Sequence, residues 1–79
     1  MSGTTDYAAA LARLEAWVAE KPDVRCATLY HYDGAYRCCV DGDNGEYWPQ
    51  YGAGWTFAEA ITRALDQADA VTQDEVANV

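Results

Sequence analysis

The stretch Val24–Val40, VRCATLYHYDGAYRCCV, decides the fold of this chain. It contains two runs rich in β-branched and aromatic residues, Val24–Tyr32 and Ala35–Val40, on either side of the dipeptide Asp33-Gly34. An Asp-Gly pair between two such runs is typical of a two-residue β-hairpin turn. The sequence therefore predicts two antiparallel strands joined at Asp33-Gly34.

A two-residue turn also predicts the register, because strand pairs are counted outward from it. The facing pairs are Tyr32 with Ala35, Tyr30 with Arg37, and Thr28 with Cys39. One face carries the more apolar set, which we expect to pack against helices: Ala27, Leu29, His31, Tyr36, Cys38 and Val40. The other face is expected to be exposed or to cover a partner, and it carries Cys26, Thr28, Tyr30, Tyr32, Arg37 and Cys39.

Apolar residues at helical spacing predict a helix on each side of the hairpin. The first runs from about Asp6 to Glu20, because the residue before Pro22 is disfavoured in a helix. The second begins at Thr56-Phe-Ala-Glu59, where the hydroxyl and the carboxylate fit a capping box. It is expected to end after about Val71, with Thr72–Val79 as a polar tail that frays.

Residues 41–54 are expected to supply a turn, a third strand and a loop. Asp41–Gly45 is the turn, and Glu46–Trp48 is a short edge strand because Pro49 cannot donate to a sheet. Gln50–Gly54 is interpreted as a glycine-rich loop. The predicted fold is α+β, in a single domain over residues 1–79 with a polar lead at residues 1–5. Its order is helix, three-stranded antiparallel meander, helix, and both helices pack on one face of the sheet.

Composition limits the partners. Thirteen acidic residues against five basic ones give a net charge of −8 on 79 residues, of which 51% are hydrophobic. This hydrophobic fraction is high enough to favour a folded chain, with the charged residues on its surface as an acidic shell. An acidic shell repels nucleic acid and anionic lipid and attracts basic proteins, so direct binding to nucleic acid or membrane is disfavoured. The sequence shows neither a charged leader with an apolar run nor a membrane-length apolar stretch, which favours the cytoplasm.

No enzyme motif, cofactor or metal site is predicted. Cys26, His31, Cys38 and Cys39 are residue types that bind zinc, but the register places Cys38 and Cys39 on opposite faces. The acidic turn from Asp41 does not fit a calcium loop, since its fifth position is Gly45. No carboxylate pair lies in an obviously apolar setting, as general acid catalysis requires. The glycines before the second helix leave binding of an anion open.

The surface residues are the candidates for a site. Acidic residues gather at the hairpin ends and late in the second helix, and Tyr30, Tyr32 and Trp48 are expected at an interface. Trp55 is expected to staple the start of the second helix, and Tyr7, Trp17, Tyr36 and Phe57 to lie in the core. The predicted partner-binding set is Asp33, Asp41, Asp43, Glu46, Trp48, Asp66, Asp69, Tyr30 and Tyr32. The alternative is that the charge serves solubility alone.

Two resemblances bear on function. The segment Tyr47–Ala68, with Gly54-Trp-Thr-Phe-Ala-Glu-Ala60, resembles the strand-to-helix segment of HicB-like antitoxins, which carry Gly-x-Thr-x-x-Glu-Ala before an alanine-rich helix. This chain has a leading helix that those antitoxins lack and no DNA-binding tail. In size, acidity, architecture and lack of catalytic motifs, the whole chain is similar to small phage-encoded anti-CRISPR proteins.

The second resemblance implies a non-enzymatic inhibitor in the cytoplasm of a bacterial host. Such a protein binds a CRISPR surveillance complex through an acidic and aromatic surface and blocks target DNA binding. The alternative is an antitoxin or small regulatory module that neutralises a cognate basic protein. A homodimer through the open sheet face, which carries Tyr30, Tyr32 and Cys39, is also expected, with a monomer as the alternative.

Overall fold

The computed structural model describes residues 6–42 and 49–77, with side chains as far as residue 71. Its elements are α1 (Tyr7–Glu20), β1 (Cys26–Tyr32), β2 (Ala35–Asp41), β3 (Gln50–Gly54) and α2 (Phe57–Ala77). The strands form one antiparallel sheet in the order β1-β2-β3, and both helices contribute to a core on one face of it. The predicted α+β class and order of elements are confirmed.

The hairpin between β1 and β2 follows from its turn. Asp33 and Gly34 have φ angles of 54° and 79°, the two positive values that a type I′ turn requires. The observed pairs include Tyr32 with Ala35 and Thr28 with Cys39, so the predicted register is correct. Of the inward set, Cys38 and Val40 are fully buried, Ala27 and Leu29 are half-buried, Tyr36 is half-buried, and His31 is exposed.

The third strand is not where the sequence suggested. β3 occupies Gln50–Gly54, so the prediction of a loop there is wrong, and Pro49 precedes the strand. The predicted strand Glu46–Trp48 lies outside the described residues. The glycine at position 52 has a packing role, because a Cβ there would overlap the Ala60 carbonyl oxygen and the Ala64 nitrogen. The backbone of α2 therefore lies directly against β3.

Helix α2 begins at the predicted cap and ends later than predicted. The Glu59 N–H donates to Thr56 Oγ1 at 3.1 Å, and Glu59 Oε1 accepts from the Trp55 N–H at 2.7 Å. The carboxylate thus accepts from the residue before Thr56, one position earlier than in a standard capping box. The predicted end after Val71 is wrong, because the helix continues to Ala77. Residues 72–77 contain no glycine or proline that would stop it.

The core lies between the inner sheet face and the two helices. Its buried residues are Ala10, Leu14, Trp17, Cys38, Val40, Ala58, Ala60, Ile61, Ala64, Leu65 and Ala68. Trp17 lies in the core as predicted, and the Arg25 guanidinium stacks 4.3 Å from its ring centroid while donating to its carbonyl oxygen at 2.7 Å. This stack joins the end of α1 to the start of β1.

Two of the other predicted core aromatics are half-buried, and one is exposed. Tyr36 and Phe57 pack edge to face with ring centroids 4.8 Å apart. Tyr7 is 47% exposed, so its predicted place in the core is wrong. The buried stripe of α1 begins only at Ala10, one turn after Tyr7.

The contact at Gly52 gives a stability prediction. Gly52→Ala is expected to lower the free energy of unfolding by about 3 kcal/mol or to prevent folding, because its methyl group overlaps helix backbone that cannot rotate away. The control is Gly34→Ala, whose Cβ meets nothing within 4 Å and whose cost is the positive φ alone, about 1 kcal/mol. Urea unfolding of both variants measures the difference. Equal costs for the two would contradict a close contact between α2 and β3.

Candidate functional site

The sheet face away from the helices carries the candidate site. We call it the open face, and its outward residues are Cys26, Thr28, Tyr30, Tyr32, Arg37, Cys39, Asp41, Tyr51 and Ala53. Tyr32 and Tyr51 are 67% and 55% exposed, while Tyr30 is half-buried. Tyr51 is not among the predicted site residues, because Gln50–Gly54 was expected to be a loop. The alternation in QYGAG could have indicated a strand. Gly52 and Gly54 share one face, as where a backbone packs closely, and Tyr51 lies on the other face.

Arg37 lies in the middle strand of the open face. Its Nε donates to the Tyr32 carbonyl oxygen at 3.1 Å, and its guanidinium lies 5.7 Å from the Tyr32 ring centroid. An exposed contact of this kind contributes roughly 0.5–1 kcal/mol. The contact holds the Tyr32 ring beside the sheet. It also keeps the positive charge of Arg37 within the open face.

Carboxylates flank the open face at both ends of the hairpin. Asp33 is exposed in the turn, and Asp41 pairs with Cys26 at the opposite end of β2. The length of the strand separates the two by roughly 20 Å, at about 3.3 Å per residue. Asp43, Glu46 and Trp48, the other predicted site residues near this end, lie outside the described residues.

Asp66 and Asp69 belong to the helical layer on the other side of the sheet. Arg13 Nη2 of α1 lies 3.0 Å from Asp66 Oδ1 and 3.0 Å from Asp69 Oδ2. Arg13 therefore balances both acids, although no basic residue stands between them in the sequence. They lie inside α2, which runs on to Ala77, and Arg13 pairs with both. The predicted site residues thus do not form one surface.

A cleft of about 360 Å³ adjoins the open face at its turn end, between Asp33–Ala35 and Ala53–Trp55. Arg63 also lines it and donates to the Ala53 carbonyl oxygen at 2.6 Å. Trp55 is 80% exposed, so the prediction that it staples the start of α2 is wrong. Its indole adds aromatic surface to the cleft beside the turn.

The adjacent cysteines lie on opposite faces, as the register predicts. Burial raises the pKa of Cys38 to about 11, with a further contribution from Cys39. Partial burial raises the pKa of Cys39, against a lowering effect of its hydrogen bond with Tyr51. Neither thiol is activated as a nucleophile by these surroundings.

Residues 6–42 and 49–71 include no buried polar or charged residue, and no group of three His, Cys, Asp or Glu residues there is placed to hold a metal ion. What the geometry offers is an aromatic sheet face bordered by carboxylates. Such a surface is suited to binding another molecule.

Comparisons with protein-family models, with curated proteins and with solved structures each find no match to this chain. Among the described elements, neither helix combines the length and hydrophobicity needed to cross a membrane.

The thiols give a test of the two sheet faces. At pH 8 an aromatic disulfide reagent is expected to modify exposed Cys26 first and Cys39 more slowly. Cys38 should react only through unfolding, because it is buried and a pKa near 11 leaves roughly 0.1% thiolate at that pH. The rate at Cys39 should rise with pH along a curve whose midpoint lies above 9.0, since its pKa is raised from that value.

Release of the coloured thiolate measures the three rates, and Cys26→Ser, Cys38→Ser and Cys39→Ser variants assign them. Rapid modification of Cys38 in the folded protein would contradict its placement between the sheet and the helices.

The Arg13 ion pairs give a second test. Arg13→Ala is expected to lower the free energy of unfolding by about 1 kcal/mol, because exposed ion pairs contribute a few tenths to 1 kcal/mol each. Lys21→Ala is the control, because it removes the same charge from an exposed position. The difference between the variants in urea unfolding should shrink in roughly 1 M salt. An equal effect of both variants would show that only the net charge matters.

Proposed function

We propose that this protein is a non-enzymatic inhibitor that binds a basic protein through its open face. The observation that carries the proposal is the exposure of Tyr32 and Tyr51 on an uncovered sheet face, on a chain with a net charge of −8. Aromatic side chains are enriched at the centres of protein interfaces. Their presence on an exposed face, outside the core, supports a binding role over solubility alone.

The charge of the chain supports a basic protein as the partner. Asp33 and Asp41 place a carboxylate at each end of the open face, and the whole chain adds a long-range negative field. Such a field accelerates the encounter with a basic surface and repels acidic ones. The partner is therefore a protein with a positively charged groove, of the kind that holds nucleic acid.

The first candidate partner is a DNA-recognising CRISPR effector complex. The similarity in size and charge to small anti-CRISPR proteins supports this choice. The mechanism is competition, in which carboxylates take positions that DNA phosphates otherwise occupy while the tyrosines supply buried area. The alternative is a cognate toxin or another basic protein, which the same surface would neutralise as an antitoxin does.

Size-exclusion chromatography tests the proposal directly. The purified protein should comigrate with a DNA-recognising CRISPR complex, and comigration should be lost when target DNA is already bound. Comigration that persists on the DNA-bound complex would contradict competition. No comigration with any DNA-recognising CRISPR complex would contradict the proposed partner and leave the antitoxin alternative, which a pull-down of a single basic protein would identify.

Matched variants test whether the open face makes the contact. Tyr51→Ala and Asp41→Lys are expected to weaken binding at least about tenfold, since each removes a side chain from that face. Tyr7→Ala and Glu15→Lys are the controls, because they make the same changes at exposed positions on α1. Titration by biolayer interferometry measures the four dissociation constants. A larger loss in the α1 variants would place the contact on the helical layer.

A further inference from the structure

The two edges of the sheet differ, and the hairpin turn shows which backbone groups lie at each. A two-residue turn is flanked by a hydrogen-bonded pair, here Tyr32 with Ala35, and such pairs then alternate along the ladder. The remaining residues of β1 direct their N–H and C=O groups away from β2. Those residues are Ala27, Leu29 and His31. By the same alternation, β3 directs the groups of Tyr51 and Ala53 outward.

The edge at β3 is protected, whereas the described residues leave the edge at β1 open. At β3, Arg63 donates a hydrogen bond to the outward Ala53 carbonyl oxygen, and Pro49 comes immediately before the strand. The strand β1 is seven residues long and contains no charged residue and no proline. Proteins usually protect an exposed edge with charge, proline or a short strand. No described residue hydrogen-bonds to the outward backbone groups of β1.

The core is also incomplete on the β1 side. Four apolar residues pack against it without being fully buried: Leu11, Val18, Ala27 and Leu29. All four belong to α1 and β1, while the α2 and β3 side contributes the fully buried Ile61, Leu65 and Ala64. Uncovered apolar side chains and an unpaired strand edge therefore lie together along one side of the molecule.

We infer that the β1 edge pairs with the β1 edge of a second copy of this chain, which joins two three-stranded sheets into one of six strands. Antiparallel pairing centred on Leu29 places Leu29 opposite its copy and Ala27 opposite His31 of the partner subunit. This register engages all three outward residues of each strand, with roughly six hydrogen bonds in all, two per facing pair. A shift by two residues in either direction loses one facing pair.

The side chains fit this register as well. The strand Cys26–Tyr32 contains no charged residue, so this register brings no like charges together. A two-fold axis through Leu29 perpendicular to the sheet keeps both helical layers on one side. The half-buried Leu29 then lies beside its copy, which covers part of the apolar surface that the single chain leaves exposed.

This contact differs from a dimer through the open face, and it does not depend on the proposed partner. The dimer leaves Tyr30, Tyr32 and Tyr51 on a face that is still uncovered. Failure of the dimer would therefore not affect the binding proposal, and failure of that proposal would not affect the dimer.

Two proline variants test the inference. Ala27→Pro removes an outward N–H from β1, and Ala53→Pro removes one from β3, so the folded monomer should tolerate both. Light scattering at roughly 100 μM, well above a micromolar dissociation constant, measures the mass. The wild type and Ala53→Pro should give twice the 8.7 kDa of one chain, and Ala27→Pro should give the monomer mass with an unchanged circular dichroism spectrum.

A disulfide variant decides the question if Ala27→Pro fails to fold. Leu29→Cys, in a chain that also carries Cys26→Ser and Cys39→Ser, should form a covalent dimer on mild oxidation, because facing Cα atoms at a hydrogen-bonded pair are about 5.5 Å apart. Ala53→Cys in the same background is the control and should stay monomeric on a denaturing gel. A monomeric wild type would overturn the inference. So would a dimer that persists in Ala27→Pro and that Leu29→Cys does not cross-link.

Discussion

The contact between the backbone of α2 and the glycine at position 52 determines the arrangement of the rest of the structure. With no Cβ at Gly52, Ala60 and Ala64 lie directly against β3. This approach brings Ile61 and Leu65, both almost completely buried, over the inner sheet face beside Cys38 and Val40. Burial of such side chains is the main favourable term in a domain this small. Because α2 lies on this face and α1 packs beside it, none of the described helices covers the opposite face.

The parts of the fold that depend on local chemistry were predictable from the sequence. The Asp33-Gly34 turn fixes its own register, so the assignment of residues to the two hairpin faces is correct. The parts that depend on distant contacts were not predictable. A stretch with two glycines such as Gln50–Gly54 indicates a loop when it is considered alone, and only the approach of α2 shows why a strand needs glycine there. The end of α2 was missed because no residue near Val71 marks a stop.

The same distinction applies to the candidate site. Tyr30 and Tyr32 were placed together from the register, whereas Tyr51 required the position of β3. The assignment of Asp41 to a turn is wrong, because β2 continues to Asp41 opposite Cys26. The pairing of Arg13 with Asp66 and Asp69 joins residues more than fifty positions apart in the chain, and no local pattern predicts it. That pairing changes the interpretation of the acidic residues. Part of the negative charge is balanced between the helices by Arg13, away from the open face.

The central claim is that the open face, and not the helical layer, meets the partner. Iodination of exposed tyrosines in the free protein and in its complex with a basic partner tests this claim most directly, because Tyr7 on α1 is an internal reference. The account predicts that the complex protects Tyr32 and Tyr51 while the rate at Tyr7 is unchanged. Protection of Tyr7 with free reaction at Tyr32 and Tyr51 would contradict it.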